Sequence, residues 1–132
     1  MPEKETRKRA AADKKAGKAP TTQAGEYVRE EIHHIREGKH GARSPKQAIA
    51  IGLSKARRDG VDLKPPKKGT ASDAARKKAE QDRASSHEHS KPSATRSRAT
   101  TKALKREPKS SASHASLSRN AKQTARRRKS AE

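Results

Sequence analysis

The side chains through which this sequence could do chemistry are lysine and arginine, and they come in short runs. Arg7-Lys8-Arg9, Lys14-Lys15, Lys67-Lys68, Arg76-Lys77-Lys78, Lys105-Arg106 and Arg126-Arg127-Arg128-Lys129 are spread along the 132 residues. Each run can meet a phosphate, and a polyanion held at many such points releases its condensed counterions. The rival reading, a solvated cationic surface with no partner, is disfavoured by the size of the excess. Thirty-five Lys and Arg face 15 Asp and Glu, for a formal charge of +20. Nucleic acid is the cellular polymer that matches it. With one Tyr and no Phe or Trp, stacking on unpaired bases is not provided for, so duplex DNA is favoured over single-stranded RNA. A membrane partner is set aside, because an interfacial helix needs a face of Trp, Phe or Leu.

A sharper phosphate site is offered where Lys39, His40, Arg43, Ser44 and Lys46 gather at the start of a predicted helix. Capping by Ser44 and Gln47 uses some of the same backbone donors, and we place it ahead of phosphate binding. The outward positions of that helix include Lys46, Gln47, Ala50, Ser54 and Arg57, with Arg58 next in sequence. Gln47 and Arg57 are types that recognise adenine and guanine. The preceding connector is longer than a helix-turn-helix turn and no third supporting helix is evident, so packing is favoured over base reading.

Six histidines raise the question of a metal. His33, His34 and His40 lie near this region, and His87, His89 and His114 further on. None sits in a known ligand frame, and neighbours such as His33 and His34 point about 100° apart on a helix, so the expectation is solvent-exposed histidine and no metal. Glu30, Glu31 and Glu37 are expected to pair with Lys or Arg at helical spacing. Cysteine is absent, which excludes disulfides and thiolate sites. With no Gly-rich phosphate loop and no nucleophile frame, neither an enzyme nor a cofactor is expected.

The elements that must position these cations are constrained by composition. Leu, Ile, Val and Phe number ten: Val28, Ile32, Ile35, Ile49, Ile51, Leu53, Val61, Leu63, Leu104 and Leu117. That is well below what a globular core requires, and alanine supplies helix propensity but little buried area. The expected fold is therefore small and all-α: a helical hairpin between disordered basic arms. Residues 1–24 form the first arm, with seven basic against three acidic residues. Residues 25–63 form the hairpin, and residues 64–132 a cationic tail with 20 basic against six acidic residues.

Within the hairpin, Val28, Ile32 and Ile35 recur at i, i+4 and i+7 beside Tyr27, with Gly38 as a stop, which predicts a helix over about 25–37. Ser44, Pro45 and Gln47 read as a capping box with proline at the first helical position. Ile49, Leu53 and Ala56 carry the second helix to Asp59-Gly60. Val28, Ile32, Ile35, Ile49 and Leu53 are its predicted core. So small a unit is marginal alone and is expected to firm up on DNA, on a second copy or on a protein partner. In the tail, 72–83, 95–106 and 113–128 have helix-friendly composition but no apolar face, and are expected as nascent helices that dock on nothing.

The run His40-Gly41-Ala42-Arg43-Ser44-Pro45-Lys46-Gln47-Ala48-Ile49-Ala50-Ile51-Gly52-Leu53-Ser54-Lys55-Ala56-Arg57 resembles a small bacterial and phage domain family of uncharacterised function with the pattern K-x-G-x-x-S-x-K-Q-A-I-A-I-A-L-S-x-A-R. The likeness covers roughly 25–60 and implies a bacterial or phage origin without an activity. Gly52 stands where that family commonly has alanine, which predicts a slightly looser second helix. The tail is similar in composition to histone H1-like bacterial proteins.

Together these features favour a nucleoid-associated DNA binder acting through phosphate contacts with little sequence choice. One rival is an RNA- or ribosome-associated protein using the same charges. Another is a protein-interaction module docking through Ile49, Ile51 and Leu53, with the tail as a tether. Met1 to Arg9 is charged with no apolar stretch behind it, so a cytoplasmic place at the nucleoid is expected.

Overall fold

A computed structural model of the chain describes residues 2–67, 71–87 and 93–130. Among the described residues there are six α-helices and no β-strand: α1 (Lys4–Lys15), α2 (Pro20–Arg36), α3 (Pro45–Arg58), α4 (Asp73–Ala84), α5 (Ala94–Lys105) and α6 (His114–Ser130). Single 3₁₀ turns follow at Ser85–His87 and Ser110–Ala112. The all-α class expected from composition is the one observed.

Local chemistry explains where the helices begin and end. Gly38, at φ +81°, donates its N–H to the Ile35 carbonyl while Lys39 donates to that of His34, closing α2 in a Schellman turn. Gly60, at φ +100°, closes α3 in the same way, with Val61 donating to Ala56. At the start of α3, Ser44 Oγ accepts the Gln47 N–H at 3.3 Å, while Gln47 Oε1 reaches one residue past Ser44 to the Arg43 N–H at 2.6 Å. The capping box is thus present in a stretched form. Helix α2 begins at Pro20, ahead of the expected Gly25. Its added turn is held by buried Ala24 and by Gln23, whose Nε2 donates to the Lys18 carbonyl, rather than by aliphatic periodicity.

Two compact units interleave along the chain, one of residues 1–30 with 50–91, the other of 31–49 with 92–132. The first unit buries Ala10, Ala24, Tyr27, Ala56, Val61 and Leu63, with Leu53 packed against them. Half of these are alanine, so helices approach closely instead of interlocking large side chains. A Cβ on Gly52 would lie 2.7 Å from Val28 Cα, so α3 needs glycine here, and the expected loosening at Gly52 gives way to a close helix contact. Asp59 ties this unit together, since Oδ2 accepts from the Tyr27 hydroxyl and from Arg7 Nε (3.1 Å) while Oδ1 pairs with Arg7 Nη2 (2.9 Å). Helix α4 is attached by Ser54 Oγ donating to Asp82 Oδ2 at 2.6 Å and by Arg83 pairing with Asp62 at 2.5 Å.

The second unit is centred on Ile35, Ala42, Ala48 and Ala112, with Ile32 against them. Its connector is fixed by backbone: Gly41 N–H donates to the Leu104 carbonyl (2.8 Å) and Ala42 N–H to that of Pro108 (3.1 Å). A Cβ on Gly41 would fall 1.9 Å from the Glu107 carbonyl oxygen, leaving glycine as the residue that fits. Arg36 Nε donates to the Ala112 carbonyl at 2.9 Å.

Several expectations change here. The first arm is not disordered in this structure: α1 occupies it, with Thr6 and Ala10 enclosed and Thr6 Oγ1 donating to Glu30. Helices stand close to the three stretches expected in the tail; α5 and α6 bury no residue of their own, whereas α4 docks, burying Ala79 and Asp82, and the turn before α6 buries Ser111 and Ala112. What attaches them is alanine, backbone carbonyls and single carboxylates, none of which gives an aliphatic stripe. Of the predicted hairpin core, Ile35 is fully enclosed, whereas Val28, Ile32, Ile49 and Leu53 are half-buried. Among the described residues no helix is long and apolar enough to cross a membrane.

Candidate nucleic-acid interface

Some of the predicted cations have intramolecular partners, and others are exposed along the chain and on the C-terminal helices. Arg7 pairs with Asp59, Arg9 with Glu26, and Lys78 with Asp82. Arg76 donates to the Pro66 carbonyl and lies 3.9 Å from Asp73. Arg57 departs furthest from expectation. It is 7% exposed and donates through Nε to the Leu63 carbonyl and through Nη2 to that of Lys64. Burial also lowers its guanidinium from the ordinary value. Arg57 therefore holds the chain leaving α3 and does not face outward to read a base. Ser54, likewise expected outward, is bound to Asp82.

Lys8, Arg58, Lys67 and Lys77 are exposed, and Lys68 lies outside the described residues. At the head of α3, Lys39, Arg43 and Lys46 are exposed, with Lys39 3.5 Å from Glu37. The Ser44 cap takes the Gln47 donor, as expected of the capping reading.

The C-terminal helices share with α3 the absence of acidic residues, and they bury none of their own residues. Helix α5 carries Arg96, Arg98, Lys102 and Lys105, and α6 carries Arg119, Lys122, Arg126, Arg127, Arg128 and Lys129. All ten are exposed, and neither helix contains Asp or Glu. Spacing arranges them: Arg98, Lys102 and Lys105 stand at i, i+4 and i+7, and Arg119, Lys122, Arg126 and Lys129 at i, i+3, i+7 and i+10. Each set forms a stripe along one face of its helix. Arg106 follows α5 at once and is also exposed. Sequence reasoning found the runs at Lys105 and Arg126 but missed Arg98, Lys102, Arg119 and Lys122, whose signal was helical periodicity of charge.

The histidines also sort differently from expectation. His33 is exposed and pairs with Glu37 at 2.6 Å, and His114 is exposed, but His34 and His40 are turned inward around Glu31. The 100° between His33 and His34 puts one outside and one inside, and the turn at Gly38 brings His40 back over α2. His89 lies outside the described residues. Nor do the glutamates pair mainly with Lys or Arg: Glu30 accepts from Thr6, and Glu31 faces the two histidines.

No curated protein and no solved structure matches the chain. Residues 4–68, just under half of its length and spanning α1 to α3, match the model of a small-domain family of unknown function, DUF6496.

Proposed function

We propose that this chain is a non-enzymatic, nucleoid-associated protein that binds duplex DNA through its phosphates with little choice of sequence. The observation that carries the reading is the pair of acid-free helices α5 and α6 with ten exposed Lys and Arg. From Arg119 to Lys129 the stripe on α6 runs roughly 15 Å at 1.5 Å per residue. Over that distance along the duplex axis one DNA strand presents about four phosphates, matching the four cations of the stripe. Tyr27, the sole side chain among Phe, Tyr and Trp, is enclosed in the first unit, which leaves none of these larger rings for base stacking and favours duplex over single strands. In this reading the hairpin of α2 and α3 serves as the scaffold, and the α3 head adds Lys39, Arg43 and Lys46.

The test is a titration of random-sequence duplex across salt, comparing the full chain with one in which Arg126, Arg127, Arg128 and Lys129 are all replaced by Gln. Affinity should fall steeply with salt, and the variant's log–log slope should be shallower by about 3 to 4, at about 0.9 per phosphate lost. Equal slopes for the two proteins, or preference for structured RNA in direct competition, would overturn the proposal.

A further inference from the structure

Beneath the connector between α2 and α3, Glu31, His34 and His40 face one another. The Glu31 side chain is 1% exposed, those of His34 and His40 12% and 14%. One donor atom from each lies within 4.8 Å of the other two. His40 Nε2 is 3.1 Å from Glu31 Oε2, and His34 Nδ1 is 3.9 Å from Glu31 Oε1. The imidazole rings meet edge to face, with centroids 6.2 Å apart and planes at 78°.

From this geometry we infer a binding site for a divalent transition metal, zinc by donor type, formed by Glu31, His34 and His40. Tetrahedral bonds of about 2.0–2.1 Å put neighbouring donor atoms about 3.3 Å apart, and the two observed spacings lie on either side of that value. Small side-chain rotations would bring all three donors onto one ion. Two imidazoles and a carboxylate suit zinc, and three protein ligands leave a fourth position for water.

The orientation of His40 supports the same conclusion. Its Nδ1 lies 2.9 Å from the Gly41 carbonyl oxygen, a bond in which the ring nitrogen must donate. Metal-bound histidines are held in this manner by an outer hydrogen bond. With the proton on Nδ1, the Nε2 lone pair faces a carboxylate oxygen, an arrangement that a metal ion held by both would satisfy. A second proton is the rival to a metal. The site is also rigidly built, since Glu31 and His34 share a turn of α2 and the connector bearing His40 is anchored by the Gly41 and Ala42 backbone bonds. An ion there would clamp the connector to the end of α2 and fix the segment that presents Lys39 and Arg43. This inference is independent of DNA binding.

Untagged full-length chain, freed of metal by chelation, is titrated with zinc and, separately, with magnesium, followed by calorimetry. One zinc per chain should bind in a saturable step, magnesium should not, and the thermal midpoint should rise with zinc. Glu31→Gln, His34→Asn and His40→Asn should each abolish the step, whereas the double variant His33→Asn/His114→Asn should keep it. No saturable step in the unaltered chain, or its survival in the three site variants, would overturn the site. If a site variant loses helix content, the imidazole NMR signals of the unaltered chain decide: zinc should move those of His34 and His40. Movement of His33 and His114 instead would place the metal on the surface.

Discussion

Tyr27 is the sole side chain among Phe, Tyr and Trp in the molecule, and it lies among alanines with its hydroxyl donating to Asp59. Burial first, then that hydrogen bond and the carboxylate's charge, raise its phenol well above the usual range. In the folded chain the neutral ring is therefore favoured. The stability it contributes is complete below the unfolded phenol's value of about 10 and is lost as pH rises through the higher folded value. Because no Trp or other Tyr is present, the phenolate absorbance band reports this residue alone. In alkaline titration the band should appear well above pH 10 and together with loss of helix signal, and in denaturant it should return to about 10. A midpoint near 10 in the folded protein would show the ring to be exposed. The sequence displayed Tyr27 beside an aliphatic stripe and Asp59 as a helix stop. It could not display their meeting, which depends on how Asp59, 32 residues after Tyr27 and just past the end of α3, is placed.

At the scale of elements, the sequence pattern located α3 to its first residue, because Ser44, Pro45 and Gln47 are chemically committed to a helix start. It missed α1 and the first turn of α2, where the buried face is alanine, threonine and glutamine and carries no aliphatic signal. Pro20, at the first helical position, was the available cue. Gly52 is the sharpest case. Helix propensity alone favours alanine there by about 1 kcal/mol. The approach to Val28 reverses the sign, since the added methyl would meet main-chain Cα and N atoms at 2.7 and 2.9 Å, and main chain cannot rotate away. Gly52→Ala should therefore destabilise the protein, by about 1–3 kcal/mol once the helices have shifted. Ala50→Gly, on the exposed side of the same helix, should cost about 1 kcal/mol through propensity alone. Thermal or urea unfolding followed by circular dichroism measures both. A stabilised Gly52→Ala protein would mean that α2 and α3 lie further apart than described.

For the whole molecule, charge governs both stability and binding, and salt should move them in opposite directions. A formal charge of +20 on 132 residues sets the folded state against its own repulsion, most strongly where α5 and α6 carry ten cations and no acid. Added salt screens that repulsion, with a Debye length that falls from about 30 Å at 0.01 M to about 3 Å at 1 M. It also weakens the ion pairs of Arg7, Arg9 and Arg83, but such partly exposed pairs contribute about 0–1 kcal/mol each. The buried contacts around Tyr27 and Ile35 are indifferent to screening. Repulsion should win, so helix content and the thermal midpoint should rise as salt is raised toward about 0.5 M. Duplex affinity over the same range should fall steeply, because ions that shield the helices also compete for the phosphates. Composition alone made the charge legible. The concentration of unpaired charge on two helices was not, since it depends on which acids the fold gives to Arg7, Arg9 and Lys78 and on α5 and α6 having none of their own. A thermal midpoint that falls with salt while affinity also falls would mean that the ion pairs of the first unit carry more of the fold than its alanine core. Duplex DNA at low salt should in turn raise the midpoint, since it supplies the counter-charge that α5 and α6 lack.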